Sequence, residues 1–179
     1  MRLICDSSMT LQLSVAQLNF TVGDMAGNAR KIIEAARQAY SRGVRLLVTP
    51  ELAICGYAAE DLFLRPSFSE ACQQAVSQVQ HALADLSGMH VVVGHPSGDD
   101  IRTRSVSVPQ RYNMASVFCE GRLVASYAKR ELPNYQVFDE RRYFVPGQLS
   151  TVFSVEGVKV GLLICEDAWF DQPAQDAKD

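Results

Sequence analysis

The sequence lacks the features that mark membrane-spanning and nucleic-acid-binding proteins. No apolar run approaches the roughly 18 residues that a membrane-spanning helix needs. The 17 Lys and Arg are outnumbered by 20 Asp and Glu, which gives a net charge of −3. A chain without a strong positive field is a poor candidate for nucleic-acid binding. We therefore expect neither a membrane nor a nucleic acid as partner.

Cysteine and histidine are few and do not follow metal-binding or disulfide patterns. The five cysteines include no CxxC pair, and the three histidines are not placed at zinc-ligand spacing from them. We expect no disulfide scaffold and no metal site, and a reducing cytoplasm is the default location. The start of the chain does not resemble a secretory signal. Because the first convincing strand follows Met9, we interpret residues 1–8 as an N-terminal extension and residues 9–179 as one domain.

What the sequence does contain is an alternation of strand and helix patterns, which is typical of an α/β layer fold. Two Glu-Gly pairs, Glu120-Gly121 and Glu156-Gly157, predict hairpin turns. Gly43 suits the left-handed stop of the first helix. The predicted elements are a strand over Leu11–Phe20, a helix capped by Asn28 and ending near Tyr40, a strand over Val44–Thr49, a helix from Pro66 to about Leu86, a strand over His90–Gly94, and hairpins of Tyr112–Cys119 with Arg122–Ala128 and of Ser150–Val155 with Lys159–Ile164.

Three of these strands each end on a chemically useful side chain. The strand VRLLVT is followed by Glu51, LVASYA by Lys129 and VGLLI by Cys165. If the three strands run in one direction in one sheet, these side chains meet at one edge. A carboxylate can take the proton of the thiol as general base, and an ammonium favours the thiolate and stabilises an oxyanion. The residue types therefore suit cleavage of an amide through a thioester.

The same residues also have ordinary structural explanations. Cys165 could be a buried structural cysteine, Glu51 a turn cap and Lys129 a solvated charge at a strand end. The cluster Asp139–Arg142 has the composition of a solvated face. His95 also ends a strand and could pair with Cys165 as a Cys–His dyad. The individual residues leave these alternatives open.

Three segments together carry a family resemblance. TPELAICGY, AKRELPNYQVFDERRYFVPG and GLLICEDAW resemble the nitrilase, or carbon–nitrogen hydrolase, superfamily. More narrowly, they resemble the amino-terminal glutaminase domain of glutamine-dependent NAD synthetases. The resemblance covers Leu11 to Asp179, and it implies an α-β-β-α sandwich that pairs across subunits as a homo-oligomer.

The resemblance also implies a role for each catalytic residue. Glu51 corresponds to the general base, Lys129 to the oxyanion-stabilising lysine and Cys165 to the nucleophile. Glu140 corresponds to a second glutamate that positions the lysine and the substrate. The backbone N–H after Cys165 would complete the oxyanion hole.

The implied reaction converts glutamine and water to glutamate and ammonia. Tyr135 and Glu166 match positions that line the glutamine pocket, where an anionic Glu166 would attract the α-ammonium group. In the family, the ammonia passes to an ATP-dependent synthetase domain that forms NAD. ATP and magnesium would belong to that domain, so we expect no cofactor in this chain.

The sequence departs from the family pattern in two places. It stops fourteen residues after Cys165, before the later strands of the family domain and before the SGGxDS loop of the synthetase. We therefore expect a sandwich that is truncated at its C-terminus, without the synthetase domain. The segment 99–111 is longer than usual and predicts a surface insertion. Two alternatives to the glutaminase stay open: an amidase acting on a free small amide, and a non-catalytic remnant.

Overall fold

The computed structural model describes residues 10–97 and 111–178. The expected extension over residues 1–8 and nearly all of the expected insertion over 99–111 lie outside these ranges. The described elements are β1 (Leu13–Val15), α1 (Met25–Ser41), β2 (Leu46–Val48), α2 (Pro66–Ala82), β3 (His90–Pro96), β4 (Asn113–Cys119), β5 (Arg122–Ala128), β6 (Val152–Val155), β7 (Val158–Gly161) and α3 (Asp171–Lys178). None of the described helices is long and apolar enough to cross a membrane.

Five strands form one sheet in the order β1-β2-β3-β4-β5. β1, β2 and β3 are parallel, whereas β4 is antiparallel to both β3 and β5. Since two reversals cancel, β5 runs in the same direction as β2, and the two strands end at the same edge of the sheet. β6 and β7 form a separate antiparallel pair.

The alternation of side chains along the central strands divides the interior into two cores. Val91 and Val93 of β3 pack with the buried faces of α1 and α2, whereas Val92 joins Phe153 and Val155 of the smaller sheet. This is the period-two pattern of a strand that is covered on both faces. The short helix α3 packs on β7, so the layer order is helix, sheet, sheet, helix. The predicted sandwich architecture is confirmed.

The boundaries of the two long helices differ from the prediction. Helix α1 is capped by Asp24, whose Oδ1 accepts a hydrogen bond of 2.9 Å from the N–H of Gly27. Asn28 is instead a buried residue of the first turn, and its side chain donates to the carbonyl groups of Thr21 and Ile54. Helix α2 ends at Ala82 rather than near residue 86, because the chain tightens there into turns with i→i−3 hydrogen bonds.

Three glycines, Gly43, Gly121 and Gly157, lie at the turns that the sequence predicted. Gly43 has a φ of 83° just after α1, as predicted for a left-handed stop. In both hairpin turns the two central residues have positive φ angles, between 49° and 82°. Such angles are the requirement of a type I′ turn, whose twist matches that of the strands. Both predicted hairpins are therefore confirmed.

Candidate active site

The turn that carries Glu51 packs directly against β3. The N–H of Gly94 donates to Thr49 Oγ1 over 3.1 Å, and the N–H of Ile54 donates to the carbonyl of Gly94. A Cβ atom at position 94 would overlap the carbonyl oxygen of Pro50 and lie 2.7 Å from the nitrogen of Leu52. A glycine is therefore required here for the close approach that fixes the start of the Glu51 turn.

Lys129 follows β5 and joins two carboxylates. Its side chain is fully buried, and Nζ donates to Glu51 Oε1 over 2.6 Å and to Glu140 Oε1 over 2.9 Å. Burial alone would lower the pKa of Lys129, but the two carboxylates raise this pKa above its ordinary value. The side chain is therefore a charged ammonium held between two acids, not a solvated charge at a strand end.

Glu140 is the buried member of an otherwise exposed charge cluster. Asp139, Arg141 and Arg142 are exposed, as the composition predicted, but the side chain of Glu140 is only 6% exposed. Burial raises the pKa of Glu140, the charge of Glu51 raises it further, and the hydrogen bond from Lys129 opposes both effects. Tyr57 also approaches, with its hydroxyl 3.4 Å from Glu140 Oε1.

Cys165 reaches the site from the other sheet. The three side chains do not follow strands of one sheet, because Glu51 and Lys129 follow strands of the five-stranded sheet and Cys165 does not. Cys165 follows β7, as the first residue of a single turn over Cys165–Trp169, and has a φ of 45°. A positive φ in a non-glycine residue is uncommon and concentrates at functional sites. The site is thus assembled at the boundary between two layers.

Opposing effects act on the thiol of Cys165. Lys129 lowers the pKa of Cys165, as predicted for a nearby ammonium that favours the thiolate. Burial of the sulfur and the charge of Glu51 raise this pKa and outweigh Lys129, so the pKa lies above its ordinary value. The effects of Glu51 and Lys129 require that both side chains lie near the thiol.

Tyr135 and Glu166, the two predicted pocket residues, lie together. The hydroxyl of Tyr135 donates to both carboxylate oxygens of Glu166, over 3.1 and 3.0 Å. Both line a cavity of about 220 Å³, which also includes Leu132, Arg141 and Phe170. The hydrogen bond to Glu166 raises the pKa of Tyr135, so its hydroxyl keeps its proton.

Two polar residues at the site were not predicted from the sequence. Asp167 is fully buried and accepts four hydrogen bonds, from Tyr127 Oη and from the backbone N–H groups of Arg130, Glu131 and Ile164. It thereby joins the end of β5 to the residue that precedes Cys165. The only signal for this role was its place in the GLLICEDAW segment.

The second such residue is Asn113. It is 1% exposed, and its Nδ2 donates to Glu51 Oε1 over 2.6 Å. It therefore contacts the same carboxylate oxygen as Lys129. The signal that could have found it is the YN-A pattern of the family at Tyr112–Ala115, from which no role was predicted.

The alternative Cys–His dyad does not form. The ring of His95 has its Nδ1 2.9 Å from the carbonyl of Pro96 and its Nε2 2.8 Å from Ser116 Oγ. A carbonyl only accepts, so Nδ1 carries a proton, and burial lowers the pKa of His95.

In the described ranges, no group of three or more His, Cys, Asp or Glu side chains is arranged to hold a metal ion.

Comparisons with known proteins identify the family of the chain. The family model described as carbon-nitrogen hydrolase matches residues 12–178. The chain is 46% identical over 169 residues to a glutamine-dependent NAD(+) synthetase of Xylella fastidiosa. That match covers 93% of this chain but 29% of the relative, so the chain spans less than a third of that protein's length.

Two solved structures show the same fold. A glutamine-dependent NAD+ synthetase from Acinetobacter baumannii, in complex with ADP, matches with a TM-score of 0.80 and 36% identity, covering 92% of this chain and 29% of that one. A mutant amidase from Nesterenkonia sp. AN1 matches with a TM-score of 0.75 and 26% identity, covering 93% and 60%. That amidase carries covalent addition of the acetamide moiety of fluoroacetamide at its active-site cysteine. From the family match over nearly the whole chain, we conclude that this protein belongs to the carbon-nitrogen hydrolase family.

Proposed function

We propose that this chain hydrolyses the side-chain amide of glutamine to glutamate and ammonia through a cysteine thioester. The observation that carries the proposal is that Lys129 Nζ lies 2.6 Å from Glu51 Oε1 and 2.9 Å from Glu140 Oε1. Cys165 lies close enough that the charges of these three side chains shift its pKa. This arrangement supplies an acid–base carboxylate, a fixed positive charge and a thiol at one place.

The proposed chemistry begins with transfer of the Cys165 proton to Glu51 as the sulfur attacks the amide carbon. The charge that develops on the carbonyl oxygen is stabilised by Lys129 and by the backbone N–H that follows Cys165. Glu51 returns the proton to the departing nitrogen, which leaves as ammonia. Water then attacks the thioester carbon and gives up a proton to Glu51. Release of glutamate returns that proton to the sulfur.

A thiol with a raised pKa suits this sequence of steps. A pKa raised by burial and by Glu51 means that Cys165 and Glu51 need to exchange a proton only when the substrate is present. Glu51 accepts from Lys129 and Asn113 through Oε1. Among the described residues no donor contacts its Oε2, which is the oxygen that we assign to proton transfer.

Recognition of the amino-acid end of glutamine is assigned to Tyr135 and Glu166. The carboxylate of Glu166 lies on the wall of the cavity, beside the Tyr135 hydroxyl, where it can pair with an α-ammonium group. A small aliphatic amide has no such group. Loss of the Glu166 charge should therefore weaken binding of glutamine while leaving the reaction of a small amide unchanged.

The name of the Xylella relative supports a further assignment for the product. We propose that the ammonia is used by an ATP-dependent synthetase that forms NAD, and that ATP and magnesium bind that synthetase rather than the residues of this chain. We also keep the prediction that the chain acts as a homo-oligomer in the cytoplasm. Light scattering after gel filtration measures the oligomeric state.

A second candidate is an amidase acting on a free small amide, which is supported by the likeness to the Nesterenkonia amidase. Purified wild-type chain and the variants Cys165→Ala and Glu166→Gln are incubated with glutamine and, separately, with propionamide. Formation of glutamate by the wild type, its loss in Cys165→Ala and a raised KM in Glu166→Gln support the glutaminase. Hydrolysis of propionamide but not of glutamine supports the second candidate.

The third possibility is a chain without catalytic activity. A chloroketone that mimics glutamine distinguishes it, since attack by Cys165 displaces chloride and adds a defined mass to the protein. The intact mass of the wild type should increase by one adduct, and that of Cys165→Ala should not. A folded wild-type chain that neither forms the adduct nor releases ammonia would refute the proposed function.

A further inference from the structure

Asn113 is a buried polar residue that contacts both members of the Glu51–Lys129 pair. It is the first residue of β4 and is 1% exposed. Its backbone carbonyl accepts a 2.8 Å hydrogen bond from the N–H of Lys129, and its side-chain Nδ2 donates to Glu51 Oε1 over 2.6 Å. One residue thus fixes the backbone of the lysine and the side chain of the glutamate.

The orientation of the amide follows from its surroundings. If the amide were rotated by half a turn, Asn113 Oδ1 would face Glu51 Oε1, and two acceptors would repel each other. The observed orientation places the donor toward Glu51 and leaves Oδ1 buried without a hydrogen-bond partner in the described part of the chain. An unpaired buried acceptor is a cost to folding, so the side chain is held here for its donor.

The two donors on Glu51 have different consequences. Lys129 provides charge, but a single contact lets the carboxylate rotate about the Nζ–Oε1 direction. A second donor on the same oxygen, from a side chain at the start of a paired strand, removes that freedom. With Oε1 held by two donors, the position of Oε2 is fixed as well.

We propose that Asn113 is a positioning residue for the general base, which orients Glu51 for proton exchange with Cys165. This inference rests on the proposed function for the role of Glu51 as base. Asn113 touches neither the sulfur nor the cavity of Tyr135 and Glu166, so it should affect turnover rather than binding of glutamine.

The test compares Asn113→Ala and Asn113→Ser with the wild type and with Ser116→Ala as matched control. Ser116 lies on the same strand and is also buried, but its hydroxyl contacts His95 rather than the cluster. For the Asn113 variants we expect kcat for glutamine to fall at least about tenfold, with KM changed less than about twofold. The control should match the wild type in both quantities.

A second readout does not depend on hydrolysis. Alkylation of Cys165 by iodoacetamide needs loss of the thiol proton, and Glu51 takes that proton when it is oriented toward the sulfur. Asn113→Ala should therefore slow the alkylation, measured by peptide mass mapping. In a Glu51→Gln background, where no base remains to be oriented, Asn113→Ala should leave the rate unchanged. Ser116→Ala should match the wild type.

The two readouts separate this inference from the proposed function. A wild-type chain that does not hydrolyse glutamine, but whose Cys165 alkylation slows in Asn113→Ala, would refute the glutaminase and keep the positioning role. Folded Asn113 variants with kcat within twofold of the wild type and an unchanged alkylation rate would overturn the inference. Equal slowing by Asn113→Ala with Glu51 present or replaced would overturn it too. Failure of both variants to fold, measured by circular dichroism, would also overturn it, because Asn113 would then be a structural residue.

Discussion

The buried position of Lys129 makes a quantitative prediction about stability. In Lys129→Met the side chain keeps its length and loses its charge, so the buried Glu140 and the partly buried Glu51 remain beside each other without a counter-charge. Removal of one partner from a buried ion pair costs about 3–5 kcal/mol. For a domain of this size, each kcal/mol lowers the melting temperature by about 2–4 °C, so we expect a decrease of about 6–20 °C at pH 8.

The loss of stability in Lys129→Met should depend on pH in a defined direction. Burial and Glu51 already raise the pKa of Glu140 in the folded state, and Lys129 opposes them, so without Lys129 this pKa lies further above its value in the unfolded chain. A carboxyl group of this kind makes the folded state lose stability as the pH rises from the unfolded pKa through the folded one. The deficit of Lys129→Met should therefore be small near pH 5 and grow toward pH 8. Thermal denaturation followed by circular dichroism measures it.

A matched control and a second substitution test the cause. Arg142 pairs with Asp61 over 3.1 Å at the surface, with side-chain exposures of 52% and 68%, so Arg142→Met should change the melting temperature little at either pH. The double variant Lys129→Met with Glu140→Gln removes one of the two neighbouring negative charges. It should recover part of the lost melting temperature. A deficit that is equal at pH 5 and pH 8, or no recovery in the double variant, would refute the reasoning.

Two further predictions concern the thiol and the Glu51 turn. Because burial and Glu51 raise the pKa of Cys165, iodoacetamide should alkylate Cys165 more slowly at pH 7.5 than it alkylates free cysteine, and the rate should still increase at pH 9. Peptide mass mapping locates the alkylated residue, and a rate that levels off below pH 8 would contradict this prediction. Gly94→Ala should displace the Glu51 turn, since the added Cβ would overlap the Pro50 carbonyl. We expect kcat for glutamine hydrolysis to fall at least about tenfold. A folded variant with the kcat of the wild type would contradict the requirement for glycine at this position.

Much of the fold was predictable because its signals are local. The Glu-Gly turns and Gly43 depend on the φ angles of one or two residues, and the alternation of strand and helix patterns predicts the layers. The cap of α1 was misassigned because Asp24 and Asn28 both belong to residue types that favour caps. The structure decides between them, because Asp24 accepts from Gly27, whereas the side chain of Asn28 donates to the distant carbonyl of Ile54.

The site was predicted less completely because its contacts are distant in sequence. Asn113 bonds to Glu51 across 62 positions, and Asp167 bonds to Glu131 across 36. No periodicity reports such pairs, and both residue types are common. The same limit explains Cys165: its pattern predicted a strand end, but which sheet that strand joins depends on the partners of β7.

The division of the site between two sheets has a consequence for how the protein loses activity. Glu51 and Lys129 stay together as long as the larger sheet is intact, whereas Cys165 stays with them only while the apolar interior around Phe153 and the four bonds of Asp167 hold. A transient separation of the two sheets would move the nucleophile away from the base without unfolding either sheet. Inactivation on heating should therefore begin at the interface between the sheets, while the circular dichroism signal of the helices is still that of the native protein.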